Sequence, residues 1–159
     1  MTNSLFDIIK SRILVLDGAM GTMIQRLKLQ EDDFRGTHFR DHPVPLKGNN
    51  DLLSVTKPEV ILNIHREYLR AGADLITTNT FNANRISLAD YRMEDQVYGI
   101  NRRSAELAVS AIREATLQLG LLALQTARLQ CRQTLMTREP GPFLSTSWLM
   151  LMLNRPGAL

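Results

Sequence analysis

The amino-acid sequence predicts an α/β fold built on a parallel sheet, either doubly wound or closed as a barrel. Two short apolar segments, at 13–16 and 74–78, have the composition of buried strands. Apolar residues recur with helical spacing at 57–71 and again at 95–116. The order strand, helix, strand, helix implies right-handed crossovers between parallel strands.

The first predicted strand, 13–16, lies between two short predicted helices. One covers 4–12, and the other begins near Thr22 and ends at Leu27, after a turn that contains two glycines. The following stretch, 28–50, is polar and contains Pro and Gly, so it predicts a long irregular excursion.

The helix predicted over 57–71 has both start and stop signals. Thr56 and Glu59 have the spacing of a capping box, and Gly72 suits a left-handed stop. Its apolar face would hold Val60, Ile61, Ile64 and Tyr68.

The second predicted strand, 74–78, leads into a polar segment and then into the helix predicted over 95–116. The apolar stripe of that helix would hold Ile100, Leu107, Ala108 and Ala111.

Composition divides the chain near Leu117. The 159 residues carry a net charge of +3, yet 1–117 hold equal numbers of basic and acidic side chains, so the excess lies in 118–159. That last part has no Ile or Val, and strands are rich in those residues. The sequence predicts no signal peptide, no membrane span and no nucleic-acid partner, and we expect a soluble, cytoplasmic protein.

Polar residues follow both predicted strands, where parallel α/β folds place their ligand sites. Asp17 could bind the ammonium group of an amino acid, and the neighbouring N–H groups of the Gly18–Thr22 turn could bind its carboxylate. Ordinary turn chemistry explains Asp17 equally well. Likewise, a purely structural role remains open for the second segment: Asn79 and Thr80 would then cap a loop, and Phe81 would belong to the core.

Other polar residues carry weaker signals. His38 and His42 are four residues apart, but they lie in the irregular excursion and have no cysteine nearby, so we expect no metal there. Cys131 is the one cysteine of the chain and excludes a disulfide within it.

Four segments resemble the homocysteine S-methyltransferases. The segments are LDGAMGT (16–22), DFRG (33–36), LKGNNDLL (46–53) and AGAD leading to TNTF (71–81), and the resemblance covers about 5–117. The first and last segments occur across that family. The third favours its cobalamin-dependent branch, the methionine synthases.

The resemblance implies the N-terminal part of a (β/α)₈ TIM barrel that binds homocysteine. In that family a zinc ion held by three cysteines lowers the thiol pKa of homocysteine, so that a thiolate accepts a methyl group. Methylcobalamin supplies that group and is recharged from methyltetrahydrofolate by later domains. The implied homocysteine-binding residues are Asp17, Gly18, Ala19, Met20, Gly21, Thr22, Asn79, Thr80 and Phe81.

The chain departs from the family in length and in its cysteines. A complete barrel needs about 250 residues, the zinc cysteines of the family lie far beyond position 159, and Cys131 matches none of them. We therefore expect 5–117 to be a partial homocysteine-binding domain that has neither metal nor catalytic residues and is inactive alone. The alternative is a small, non-catalytic α/β module that binds an amino acid or an anion.

The tail, 118–159, is interpreted as an out-of-frame product. A shifted reading frame joins the third base of each codon to the first two bases of the next. From Leu122 to Glu139, the codons for this chain allow that frame to encode GPTNRTASMSPDVNDPG, which resembles the family. One shifted codon then fits the family poorly, after which the codons from Pro140 to Met152 allow RAISFDELVDAY, again like the family. These runs predict a frameshift near Leu117 or Gln118, and the competing interpretation is a divergent C-terminal domain.

Overall fold

The computed structural model describes the backbone of residues 5–133 and, within it, the side chains of residues 8–118. Short 3-10 helices cover Asn50–Leu52 and Glu94–Gln96. The α-helices are α1 (Leu5–Ser11), α2 (Met20–Arg26), α3 (Glu31–Arg35), α4 (Leu53–Thr56), α5 (Pro58–Arg70), α6 (Arg85–Ala89) and α7 (Val97–Gln133).

The predicted α/β barrel fragment is wrong for the described residues, which are mostly helical and contain no sheet. The two predicted strands meet only at one isolated parallel bridge, between Leu16 and Leu75. The predicted burial of 13–16 fails too, since Ile13 is 88% exposed. Two short extended segments have no further strands beside them in this part of the chain, so they cannot build the ladder that the apolar pattern suggested.

Helices α5 and α7 form the main packing unit, and here the helical periodicity is confirmed. Ile61 and Ile64 of α5 are buried, as are all four residues of the predicted stripe on α7. At the edge of this interface, the Arg66 guanidinium contacts the Glu114 carboxylate at 2.7 Å. The apolar core therefore lies between these two helices and extends to α4 and α6.

The helix predicted over 57–71 is observed at Pro58–Arg70, but the capping box predicted at its start is wrong. Thr56 is the last residue of α4 and donates its hydroxyl to the Leu52 carbonyl, so the expected capping box does not form. Lys57 is the N-cap, and Pro58 takes the first helical position, where its missing N–H costs nothing. Gly72 ends the region with a φ of 98°.

The stretch 28–50 was predicted as irregular, yet it contains α3 and a tightly bonded loop. Arg35 of α3 donates to the carbonyls of Phe39, Arg40, His42 and Val44. Glu31, one turn earlier, contacts Arg35 at 2.7 Å and accepts the N–H groups of Leu46 and Lys47. This pair of side chains replaces the backbone bonds that a regular element would supply.

Carboxylates tie the two extended segments together. Asp74 is 3% exposed and accepts both Arg12 guanidinium nitrogens, at 2.8 and 2.9 Å, and also the Val15 N–H. At the other end of the contact between these two segments, the backbone N–H of Asp17 donates to the Leu75 carbonyl.

The last helix crosses the compositional boundary near Leu117. It was predicted to end at 116 but continues to Gln133. The division of the chain into 5–117 and 118–159 stays a prediction, and residues 134–159 of the predicted tail lie outside the described residues. Within 5–133, no helix combines the length and the hydropathy that crossing a membrane requires.

We expect Asp74→Ala to destabilise the fold by about 1–3 kcal/mol, because it removes a buried acceptor of three hydrogen bonds. Urea unfolding measures the change. The control is Glu59→Ala, since Glu59 is exposed and contacts Arg66 only at 3.8 Å, which predicts a change near zero. Equal effects of the two variants would contradict the proposed importance of Asp74.

Candidate functional site

A cleft of about 780 Å³ opens at the ends of the two extended segments. Its walls come from three parts of the chain: the turn and first residues of α2, the 48–51 stretch, and the segment 77–82, which we call the cleft loop. Ser87, Leu88, Asp90 and Tyr91, in and after α6, complete the lining.

The cleft brings together seven of the nine residues that the resemblance implied. Asp17 and Thr22 are the two that do not line it. The seven are Gly18, Ala19, Met20, Gly21, Asn79, Thr80 and Phe81.

Asp17 supports the wall of the cleft. One carboxylate oxygen accepts the Thr77 N–H at 2.9 Å and the other accepts the Thr77 hydroxyl at 3.0 Å. Both oxygens therefore hold the start of the cleft loop, an arrangement closer to the structural alternative than to a free acceptor for a ligand.

Asn79 is buried at the centre of a hydrogen-bond network. Its amide donates to the Asn50 carbonyl at 2.8 Å and to the Ser54 hydroxyl at 3.2 Å. The Ser104 hydroxyl contacts that of Ser54 at 2.8 Å and the Asn79 carbonyl at 3.1 Å. The middle of the cleft loop is thereby fixed to α4 and α7.

Asp51 holds the far end of the cleft loop, a role that the sequence analysis missed. It is 4% exposed, and its carboxylate accepts the N–H of Asn82 at 2.6 Å. Burial raises the pKa of Asp51, although the nearby backbone N–H groups of Asn82 and Phe81 oppose that change. Its place within the 46–53 segment was the available signal, but nothing in the spacing linked Asp51 to residues 81 and 82.

Phe81 does not belong to the core, because 94% of its surface is exposed at the cleft. Beside it, the hydroxyls of Thr78 and Thr80 contact each other at 2.8 Å. The cleft loop thus presents one large apolar ring among polar groups.

No Lys, Arg or His is among the described residues that line the cleft, whereas Asp51 and Asp90 are. Among the described residues, the groups available to bind a ligand carboxylate are therefore neutral donors, such as backbone N–H, amide and hydroxyl groups. A ligand ammonium would find a favourable electrostatic environment.

The described residues do not fit a zinc site. No three His, Cys, Asp or Glu side chains among them lie close enough to hold a metal ion. His42 is bonded through Nε2 to the Tyr91 carbonyl at 2.7 Å, so this ring nitrogen has a partner within the chain. The side chain of Cys131 lies outside the described part of the chain.

The profile of the homocysteine S-methyltransferase family matches residues 14–135. This range is more than half of the chain. The chain belongs to the homocysteine S-methyltransferase family.

Membership in the homocysteine S-methyltransferases agrees with the resemblance on which the site residues were chosen. The matched range includes all walls of the cleft, and it continues past Leu117 into the predicted tail.

His65 is a buried imidazole on α5, close enough to Asp17 to be influenced by its charge. The side chain is fully buried, and neither ring nitrogen has a hydrogen-bond partner among the described residues. Burial lowers the pKa of His65, and the negative charge of Asp17 partly opposes this change.

The lowered pKa of His65 predicts a loss of stability in acid. Below about pH 6.5 the unfolded chain binds a proton that the folded chain resists, so the free energy of unfolding falls until the pH reaches the folded pKa. His65→Leu should remove this contribution and, by deleting two unpaired nitrogens, stabilise the fold by about 1–2 kcal/mol.

Urea unfolding at pH 7.5 and 5.5 tests this prediction. Ile61→Val of the same helix is the control, because it alters an equally buried side chain that has no titratable group and should leave the pH dependence unchanged. A pH dependence of His65→Leu that equals the wild-type one would contradict it.

Proposed function

We propose that this chain is part of the homocysteine-binding domain of a cobalamin-dependent methionine synthase. In the parent enzyme, methylcobalamin gives its methyl group to homocysteine, and methyltetrahydrofolate recharges the cobalamin. Family membership supports the methyltransferase ancestry, and the LKGNNDLL segment at 46–53 favours the cobalamin-dependent branch.

The observation that carries the proposal is the meeting of the 18–21 turn and the 79–81 segment in one cleft. These stretches are about 60 residues apart, and the resemblance assigned both to homocysteine. The 48–51 stretch, which points to the cobalamin-dependent branch, lines the same cleft.

In the proposed complex, the amino-acid end of homocysteine lies between these two segments. Neutral N–H and hydroxyl donors bind its carboxylate, and the exposed carboxylate of Asp90 favours its ammonium. Asp17 acts here through Thr77, whose position it fixes.

We propose further that the chain alone transfers no methyl group. The described residues contain no cluster of side chains that could hold the zinc ion of the family, which supports this proposal. Methyl transfer by the purified chain would overturn this proposal.

A second candidate is a non-catalytic module that binds an amino acid or an anion. The lack of cationic side chains among the described cleft residues favours a zwitterion over a simple anion. The two candidates differ in their selectivity for homocysteine over other amino acids.

Isothermal titration calorimetry of the full chain with L-homocysteine, with and without zinc, tests these proposals. Binding of homocysteine in preference to homoserine supports the first candidate. Equal, zinc-independent binding of several amino acids favours the second, and no binding of homocysteine contradicts the first.

A matched pair of glycine variants tests whether binding occurs in the cleft. A Cβ atom at Gly21, which lines the cleft, or at Gly99 of α7, which does not, would meet nothing within 4 Å. We expect Gly21→Leu to weaken homocysteine binding about tenfold or more by filling the cleft, and Gly99→Leu to leave it unchanged. Equal affinities in the two variants would place any binding elsewhere.

We propose that the reading frame changes near Leu117, which explains the altered composition of 118–159. Sequencing the gene tests this directly. The shifted frame should encode GPTNRTASMSPDVNDPG after Leu117, and a different sequence there would contradict the proposal. The family match to position 135 is an observation that a frameshift does not by itself predict.

A further inference from the structure

The exposed ring of Phe81 has no structural role that the core explains. Its side chain is 94% exposed, while the neighbouring Asn79 and Ala83 are 4% and 7% exposed. A phenylalanine left in water forgoes the free energy that its burial would give. Its position at the cleft is therefore set by the backbone that carries it.

That backbone is held by Asp51. The carboxylate reaches from the 3-10 helix at Asn50–Leu52 to the N–H group of Asn82, the residue directly after Phe81. Hydrogen bonds to a carboxylate are about twice as strong as neutral ones. By contrast, Asp17 and the Asn79 network hold earlier parts of the cleft loop.

We propose that Phe81 determines ligand specificity as the apolar wall of the cleft, and that Asp51 is the residue that positions it. The ligand class that fits is a zwitterionic amino acid with an unbranched apolar side chain, whose methylene groups cover the ring. This inference rests on the proposed function, because it assigns the wall of the same cleft.

The proposal separates the roles of the two carboxylates that line the cleft. Asp51 is buried and bonded to the cleft loop, whereas Asp90 is exposed and accepts no hydrogen bond from that loop. Asp51→Asn keeps the size of the side chain but replaces the charged acceptor of the Asn82 N–H by a neutral amide, which weakens that hydrogen bond. Asp41→Asn makes the same chemical change at an exposed carboxylate outside the cleft and is the matched control.

A double-mutant cycle on L-homocysteine affinity, measured by calorimetry on the full chain, tests the coupling. We expect Phe81→Ala and Asp51→Asn each to weaken binding about tenfold, and Asp41→Asn to change it less than about twofold. Added to Phe81→Ala, Asp51→Asn should have little further effect, because its influence passes through the ring. If Asp51→Asn weakens homocysteine binding by the same factor in the wild-type chain and in Phe81→Ala, the positioning role is overturned. Equal factors are what general destabilisation of the fold would give.

Amide hydrogen exchange in the unmodified chain gives a readout that needs neither ligand nor variant. The Asn82 N–H should exchange about a hundredfold more slowly than in an unfolded peptide, and exchange at the unprotected rate would overturn the role of Asp51. If the Asn82 N–H is protected but homocysteine does not bind, the proposed function fails while the loop contact stands. If homocysteine binds but Phe81→Ala binds it equally well, the specificity role fails alone.

Discussion

The buried hydrogen bonds of Asn79, Ser54 and Ser104 are the interaction on which the cleft depends. They join the cleft loop to α4 and α7, and Ser54 and Ser104 have no exposed surface at all. Polar groups that are buried among Leu and Ile side chains must find partners, because an unpaired one costs more than a bond gains. The packing of the helices and the shape of the cleft loop are therefore determined together.

Carboxylates accept many of the backbone N–H groups that a β-sheet would otherwise pair. The extended segments share one bridge, and their N–H groups find acceptors in Asp17, Asp51 and Asp74. Glu31 serves the 46–47 backbone in the same way. Each of these side chains accepts backbone N–H groups from a distant part of the sequence, so the irregular backbone is satisfied without a ladder.

The sequence predicted the parts of this structure that depend on local periodicity. The buried faces of α5 and α7 are confirmed, because helical spacing and burial follow from neighbouring residues. The two strands are wrong, because a strand needs partners that local composition does not reveal, as the exposure of Ile13 shows. The cleft walls at 18–21 and 79–81 were found from the polar residues after apolar segments. Asp51 was missed, because its contact with Asn82 spans 31 positions and leaves no periodic signal.

The three attachments of the cleft loop couple ligand affinity to folding stability. Ordering a flexible loop costs conformational entropy, and here folding has already ordered it at Thr77, Asn79 and Asn82. A ligand that contacts this loop thus binds only the folded state, so that it raises the melting temperature of the α4–α7 packing by mass action. In this chain the cleft and the helix core behave as one thermodynamic unit.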